Sequence, residues 1–85
     1  MANVEIYTTK VCPYCVRAKN LLKAKDVDYT EIDVTGDDEA RIALVAKSGG
    51  LRTVPQIFIG GKPIGGYDNL AELEEKGELD KLLSA

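Results

Sequence analysis

KVCPYCVRA, residues 10–18, holds both cysteines of the chain, three positions apart, where the sequence changes from one periodicity to another. Upstream, NVEIYT (3–8) alternates apolar and polar, with Val4 and Ile6 on one face, as a strand of period two requires. Downstream of Pro13, Cys15, Ala18 and Leu22 recur at spacings of three and four with Leu21 beside them, while Arg17, Lys19, Asn20 and Lys23 take the other face. That spacing predicts an amphipathic helix. Pro13 suits its first position, where an N–H has no intrahelical partner to lose, and Lys23 and Lys25 suit the negative end of the macrodipole. Cys12 therefore falls at about the N-cap.

Working outward, YTEIDV (29–34) reads as a second strand, with Thr30, Ile32 and Val34 facing one way and Glu31 and Asp33 the other. Strand, helix, strand over this length is a βαβ unit, which implies parallel strands and a right-handed crossover. Thr35 to Asp38 has capping-box spacing, and a helix is expected through Ile42, Val45 and Ala46 to the SGG at 48–50. TVPQIFIGGKPIGG (53–66) predicts a hairpin around Gly60-Gly61, with Pro55 entering its first strand. In the remaining stretch, Leu70, Leu73, Leu79, Leu82 and Leu83 keep roughly helical spacing, and Gly77 is the expected break. The order is β-α-β-α-β-β-α, an α/β fold in a single domain, 1–85, with no repeat or linker.

Composition removes several classes of function. The 85 residues are 45% hydrophobic and 29% charged, an ordinary globular balance, and a chain this short buries only about 60–65% of its unfolded surface. A net charge of −3, with acids concentrated in GDDEAR (36–41) and ELEEKGELD (72–80), leaves no basic face for nucleic acid. No apolar run reaches the ~18–20 residues that span a bilayer, and MANVEIYTTK lacks the pattern of a secretory leader, so a cytoplasmic location is expected. Two cysteines this close would close a loop too short to restrain the unfolded chain, and with no histidine they fall short of a four-ligand zinc site, so no metal is expected.

A redox role fits better. The thiolate is the nucleophile in disulfide exchange, so a working cysteine needs its pKa below the ordinary ~8.5. At a helix N-terminus Cys12 faces unpaired N–H groups and the positive end of the dipole, with Lys10 and Arg17 able to add cationic field. Cys15, one turn deeper, is close enough to attack a mixed disulfide on Cys12. Cys12 is thus the attacking thiol and Cys15 the resolving one, with Pro13 stiffening the turn and Tyr14 walling the site.

CPYC at 12–15, TVPQIFI at 53–59 and GGYDN at 65–69, in this order and along nearly the whole chain, resemble the glutaredoxins of the thioredoxin-like fold, above all the small bacterial dithiol members. The resemblance implies a central four-stranded mixed sheet flanked by helices, a cis peptide before Pro55, and glutathione as co-substrate with no tightly bound cofactor. It implies that the Val54 backbone pairs with the cysteinyl unit of glutathione, framed by Thr53 and Pro55. Asp68 would receive the glutamyl ammonium, and the N–H groups of Asp68 and Asn69 the adjacent carboxylate. Arg52 is matched to the glycyl carboxylate, and Tyr14, Gly66 and Tyr67 complete the site. Three positions depart from the family's pattern. Thr9 stands where many members have lysine, leaving Lys10 one place away as a candidate contact; Asn69 stands for a common aspartate; and Tyr67 replaces a residue that is often small or cysteine.

The implied activity is reduction of protein disulfides and protein-glutathione mixed disulfides by a monomer, in the service of electron transport and cell redox homeostasis. Its partners would be glutathione and disulfide-containing or glutathionylated proteins and, indirectly, glutathione reductase and NADPH, with neither nucleic acid nor membrane. Two alternatives share the dithiol. A thioredoxin-like electron donor reduced by a flavoprotein reductase is disfavoured by the absence of tryptophan and of CGPC. A glutathione-ligated iron-sulfur cluster would need a dimer, one Cys12 thiolate per chain, and members with proline directly after the first cysteine generally hold none.

Overall fold

The structure, a computed structural model, describes residues 2–84; Met1 and Ala85 of the expected domain lie outside the described residues. The elements are β1 (Val4–Thr8), α1 (Pro13–Ala24), β2 (Thr30–Asp33), α2 (Asp38–Lys47), β3 (Gln56–Ile59), β4 (Lys62–Gly65), α3 (Tyr67–Glu75) and α4 (Leu79–Leu83). They form the thioredoxin-like arrangement expected: one mixed sheet in the order β2-β1-β3-β4, with β1 parallel to β2 and antiparallel to β3, and β3 antiparallel to β4.

Alternation along the strands divides the apolar residues between two layers. Val4 and Ile6 of β1 and Ile57 and Ile59 of β3 form one core with Ala18 and Leu22 of α1, Leu70 of α3, and Leu79 and Leu83 of α4. Tyr7 and Phe58 face the other side, edge to face at 5.5 Å. There α2 covers them through Lys47, whose Nζ lies 4.6 Å from the Phe58 ring and donates to Tyr7 Oη at 3.0 Å. With both faces covered, all four residues of β3 are buried.

The C-terminal helical stretch divides at Gly77, as its sequence implied. Gly77 has φ +73°, its N–H donates to the Glu74 carbonyl and that of Glu78 to the Leu73 carbonyl, a Schellman closure that needs a left-handed residue. Lys25, at the end of α1, ties the two pieces back by ion pairs to Glu74 at 2.8 Å and Asp80 at 2.9 Å.

Three local expectations are corrected. The N-cap of α2 is Asp37, whose carboxylate accepts from the Ala40 N–H at 3.0 Å, and not Thr35, whose hydroxyl is engaged elsewhere. The inward residue of α2 is Leu44, while Ile42 stands 71% exposed. In β2 Thr30 is exposed and Ile32 half-buried, because β2 is an edge strand; Val34, just past its end, is the fully buried member of the set.

Candidate active site

The turn from β1 into α1 carries the dithiol to the end of the sheet. Cys12 is extended (φ −153°, ψ 94°) and caps α1, with Pro13 at the first helical position. Its Sγ accepts from the Cys15 N–H at 3.1 Å. The two cysteines are joined in a disulfide with Cα atoms 5.1 Å apart, Cys15 buried and Cys12 partly open. A donor aimed at Sγ from the first turn of a helix is the arrangement that favours sulfur as thiolate once the bond is reduced.

Two tethers hold this turn. The Lys10 N–H donates to Thr35 Oγ1 at 2.8 Å, linking the loop before Cys12 to the loop after β2. Thr35 in turn donates its N–H to Asp33 Oδ1 at 2.8 Å, and the two hydrogen bonds from Thr35, aided by the charges of Lys10 and Lys19, hold the Asp33 carboxyl below its ordinary pKa. Behind the turn, the Thr8 hydroxyl donates to Glu31 Oε2 at 2.8 Å.

The segment before β3 forms the facing wall. The Val54-Pro55 peptide is cis, and the Val54 carbonyl oxygen lies 3.8 Å from Cys12 Sγ. Gln56, buried at the start of β3, donates from Nε2 to the Thr53 carbonyl at 2.7 Å and to Thr53 Oγ1 at 3.3 Å, while its own Oε1 is buried without a partner.

Gly65 and Gly66 bring β4 into α3. Gly65 has φ +113°, and a Cβ there would sit 2.5 Å from Asn69 Oδ1. That oxygen accepts from the Gly66 N–H at 3.1 Å, so the Asn69 side chain turns back to cap its own helix. The N–H groups of Tyr67 and Asp68 open α3 beside it.

Between these walls runs a groove of about 310 Å³ lined by Tyr14, Leu51, Thr53, Val54, Pro55, Gly66, Tyr67, Asp68 and Asn69. Eight of the nine are residues singled out in the sequence. Tyr14 and Tyr67 face each other at 6.2 Å, with the Arg17 guanidinium 5.2 Å over the Tyr14 ring. Asp68 supplies the one carboxylate of the lining. Arg52 is not in the groove: it lines an adjoining cleft with Arg41, Ile42 and Val45. Lys10 is likewise absent from the lining, and its fixed contact is the backbone tether to Thr35.

Leu51, Gln56 and Thr35 were not singled out as site residues. Gln56 had a signal, an amide inside the apolar run PQIFI, where a buried polar group has to find partners. Leu51 and Thr35 had none. Among the described residues, no three His, Cys, Asp or Glu side chains converge as a metal site would require.

A sequence model of the family described as Glutaredoxin matches residues 4–64. The chain is 54% identical over 85 residues to the glutaredoxin of Pseudomonas aeruginosa, covering 100% of each. It is 51% identical over 83 residues to glutaredoxin 3 of Escherichia coli, covering 98% of this chain and 99% of that one. Among solved structures, a buckwheat glutaredoxin-glutathione complex superimposes with a TM-score of 0.90 at 34% identity, over 98% of this chain and 77% of that one. The solution structure of a Brucella melitensis glutaredoxin gives 0.86 at 48% identity, over 98% and 89%. A disulfide at the cap of α1, the cis proline facing it, and likeness along nearly the whole chain agree: the protein belongs to the glutaredoxin family and is a thiol-disulfide oxidoreductase.

Proposed function

We propose that the protein uses glutathione to reduce protein-glutathione mixed disulfides and protein disulfides, with Cys12 as nucleophile and Cys15 as resolving thiol. The observation that carries this reading is the Cys15 N–H on Cys12 Sγ at 3.1 Å, with that sulfur 3.8 Å from the carbonyl of Val54 in the groove wall. The Cys12 thiolate attacks the glutathionyl sulfur, the substrate S–S bond breaks, and the protein thiolate leaves and takes up a proton. A glutathione thiolate then attacks the Cys12 adduct, releasing glutathione disulfide and restoring the Cys12 thiolate. With a protein disulfide, Cys12 attacks one sulfur to form a mixed disulfide while the other leaves as a thiolate and is protonated; Cys15 then gives up its proton and attacks Cys12, and the second protein thiolate leaves. The 12–15 disulfide that results is reduced by two glutathiones.

The groove has the chemistry this co-substrate asks for. An extended cysteinyl unit pairs with the Val54 backbone between Thr53 and Pro55. Asp68 takes the glutamyl ammonium, and the N–H groups opening α3 the neighbouring carboxylate. Gly66 allows close approach, and Tyr14 and Tyr67 form the apolar flank. Arg52, which lines the adjoining cleft, takes the glycyl carboxylate. Lys10 acts on the dithiol through its charge rather than by contact. The buckwheat relative, solved as a glutathione complex, supports the same use of the groove. Glutathione enters as co-substrate, regenerated through glutathione reductase and NADPH, and the protein works as a monomer in the reducing cytoplasm.

The test is turnover of a glutathionylated peptide, coupled to glutathione reductase and NADPH. Cys12→Ser is expected to abolish it and Cys15→Ser to retain it, because glutathione itself resolves the Cys12 adduct. Mass spectrometry after exposure to oxidised glutathione should find the adduct on Cys12; an active Cys12→Ser variant overturns the assignment.

A further inference from the structure

Between β1 and the nucleophile run Thr9, Lys10 and Val11. Packing holds this loop little, Val11 being 92% exposed and Lys10 exposed beside it. Among the described residues the loop makes one hydrogen bond, from the Lys10 N–H to Thr35 Oγ1 at 2.8 Å, across 25 positions of sequence. The acceptor stands on a fixed base. Val34 is fully buried, its N–H donates to the Thr8 carbonyl at 2.9 Å, and its own carbonyl accepts from the Asp37 N–H at 3.1 Å. The Thr35 N–H closes an Asx turn on Asp33 Oδ1 at 2.8 Å. Thr35 itself is exposed, so what it offers is the hydroxyl and not packing.

On its other side Cys12 is joined to α1, where its carbonyl accepts from the Val16 N–H at 3.2 Å. Pro13 keeps Cys12 extended, with ψ at 94°, but that region of backbone space is broad. Rotation about ψ swings the Cys12 nitrogen and Cβ together, because both are attached to the same Cα. The hydrogen bond from the Cys15 N–H to Cys12 Sγ, 3.1 Å long, survives only part of that swing. Holding the chain upstream of Cys12 therefore holds the sulfur as well.

We propose that Thr35 is a positioning residue for the reaction: its hydroxyl anchors the 9–11 loop and so keeps Cys12 Sγ before the Cys15 N–H. The proposal rests on Cys12 as the attacking thiol. Thr35 lies outside the dithiol and outside the lining of the groove, so it acts on the nucleophile whatever disulfide is attacked.

Thr35→Val removes the oxygen and keeps the shape, while Thr35→Ser keeps the oxygen and drops the methyl. Each is combined with Cys15→Ser, which leaves one thiol, and alkylation of Cys12 by iodoacetamide is followed against pH. Lys10, Arg17, Asp33 and Asp68, the charged groups on the surrounding elements, are untouched, so the profile reports geometry and not an altered charge. Thr35→Val is expected to raise the Cys12 pKa by about half a unit or more. Turnover of glutathionylated cysteine should fall at least about threefold, and Thr35→Ser should restore both. A role in stability alone would move the midpoint of urea unfolding and leave the profile in place. An unchanged pKa in Thr35→Val, or a Thr35→Ser variant equally impaired, overturns the proposal. Should Thr35→Val not fold, Thr35→Ala, which also lacks the oxygen, carries the same test. Alkylation involves no glutathione, so a protein inert toward glutathionylated cysteine would sink the use of glutathione while the profile still decides the tether.

Discussion

Gln56 holds Thr53 by both of that residue's polar groups, its carbonyl at 2.7 Å and its hydroxyl at 3.3 Å, from a position two residues beyond Val54. The side chain reaches back past Pro55 and Val54, so the conformation of the groove wall depends on a buried amide that does not itself line the groove. Gln56→Met keeps the length and removes the donor together with the unpartnered Oε1. Losing two hydrogen bonds while relieving a buried orphan acceptor should leave stability within about 1 kcal/mol. The KM for a glutathionylated peptide should nevertheless rise several-fold with kcat less affected. An unchanged KM would show that Thr53 is held by the chain around it.

The Cys15 N–H aimed at Cys12 Sγ and the helix terminus behind it are one hydrogen bond and one dipole that favour the charged form once the disulfide is opened. The Cys12 pKa is therefore expected well below the ordinary ~8.5, measured by thiolate absorbance against pH with Cys15→Ser as the single-thiol reference. A value at or above the ordinary one would remove the helix-cap account of reactivity, whatever the activity of the enzyme.

Thr8, buried to 1% exposure, donates its hydroxyl to Glu31, and this bond, reinforced by Lys19 at 3.1 Å, lowers the Glu31 pKa. A carboxylate depressed in the folded state stabilises it above the unfolded pKa of ~4.3, and that contribution is lost as pH falls through the folded value. Thr8→Val removes the donor without changing the shape of the side chain. It should cost about 1 kcal/mol at pH 7, given the partial exposure of Glu31, and the gap from the unaltered protein should narrow in acid. Urea unfolding at neutral and acid pH reads both. A gap of constant size across that range would assign the loss to packing.

The seat of the dithiol was legible because its signals are local: alternation before Cys12, a period near 3.6 after it, and proline at the junction. The buried face of α2 was not. Ala40, Ile42, Ala43, Leu44, Val45 and Ala46 surround that helix with apolar residues, so periodicity selects no face, and contact with the sheet decides for Leu44. Arg52 was drawn to the groove with the TVP beside it, yet its neighbours Leu51 and Thr53 line the groove while Arg52 turns to the cleft. Pairings such as Lys10 with Thr35, 25 positions apart, leave no local trace at all.

Gly65 and Asn69 show how closely β4 is fitted to the start of α3. An alanine methyl at 65 would meet Asn69 Oδ1 at 2.5 Å, on a backbone whose φ of +113° already disfavours a side chain. Two penalties follow, and they separate by double-mutant cycle. Asn69→Ala alone removes the acceptor for the Gly66 N–H and should cost about 1 kcal/mol, as caps do. Gly65→Ala alone should cost about 2–4 kcal/mol, combining backbone strain with expulsion of the cap. In the double variant the cap is already gone and the clash with it, so only the strain remains, and the total should fall short of the sum of the single losses by roughly 1 kcal/mol. Chemical denaturation of the four proteins measures this. Strict additivity would mean that the Asn69 side chain moves aside at no cost, and that the strain at Gly65 alone demands glycine there.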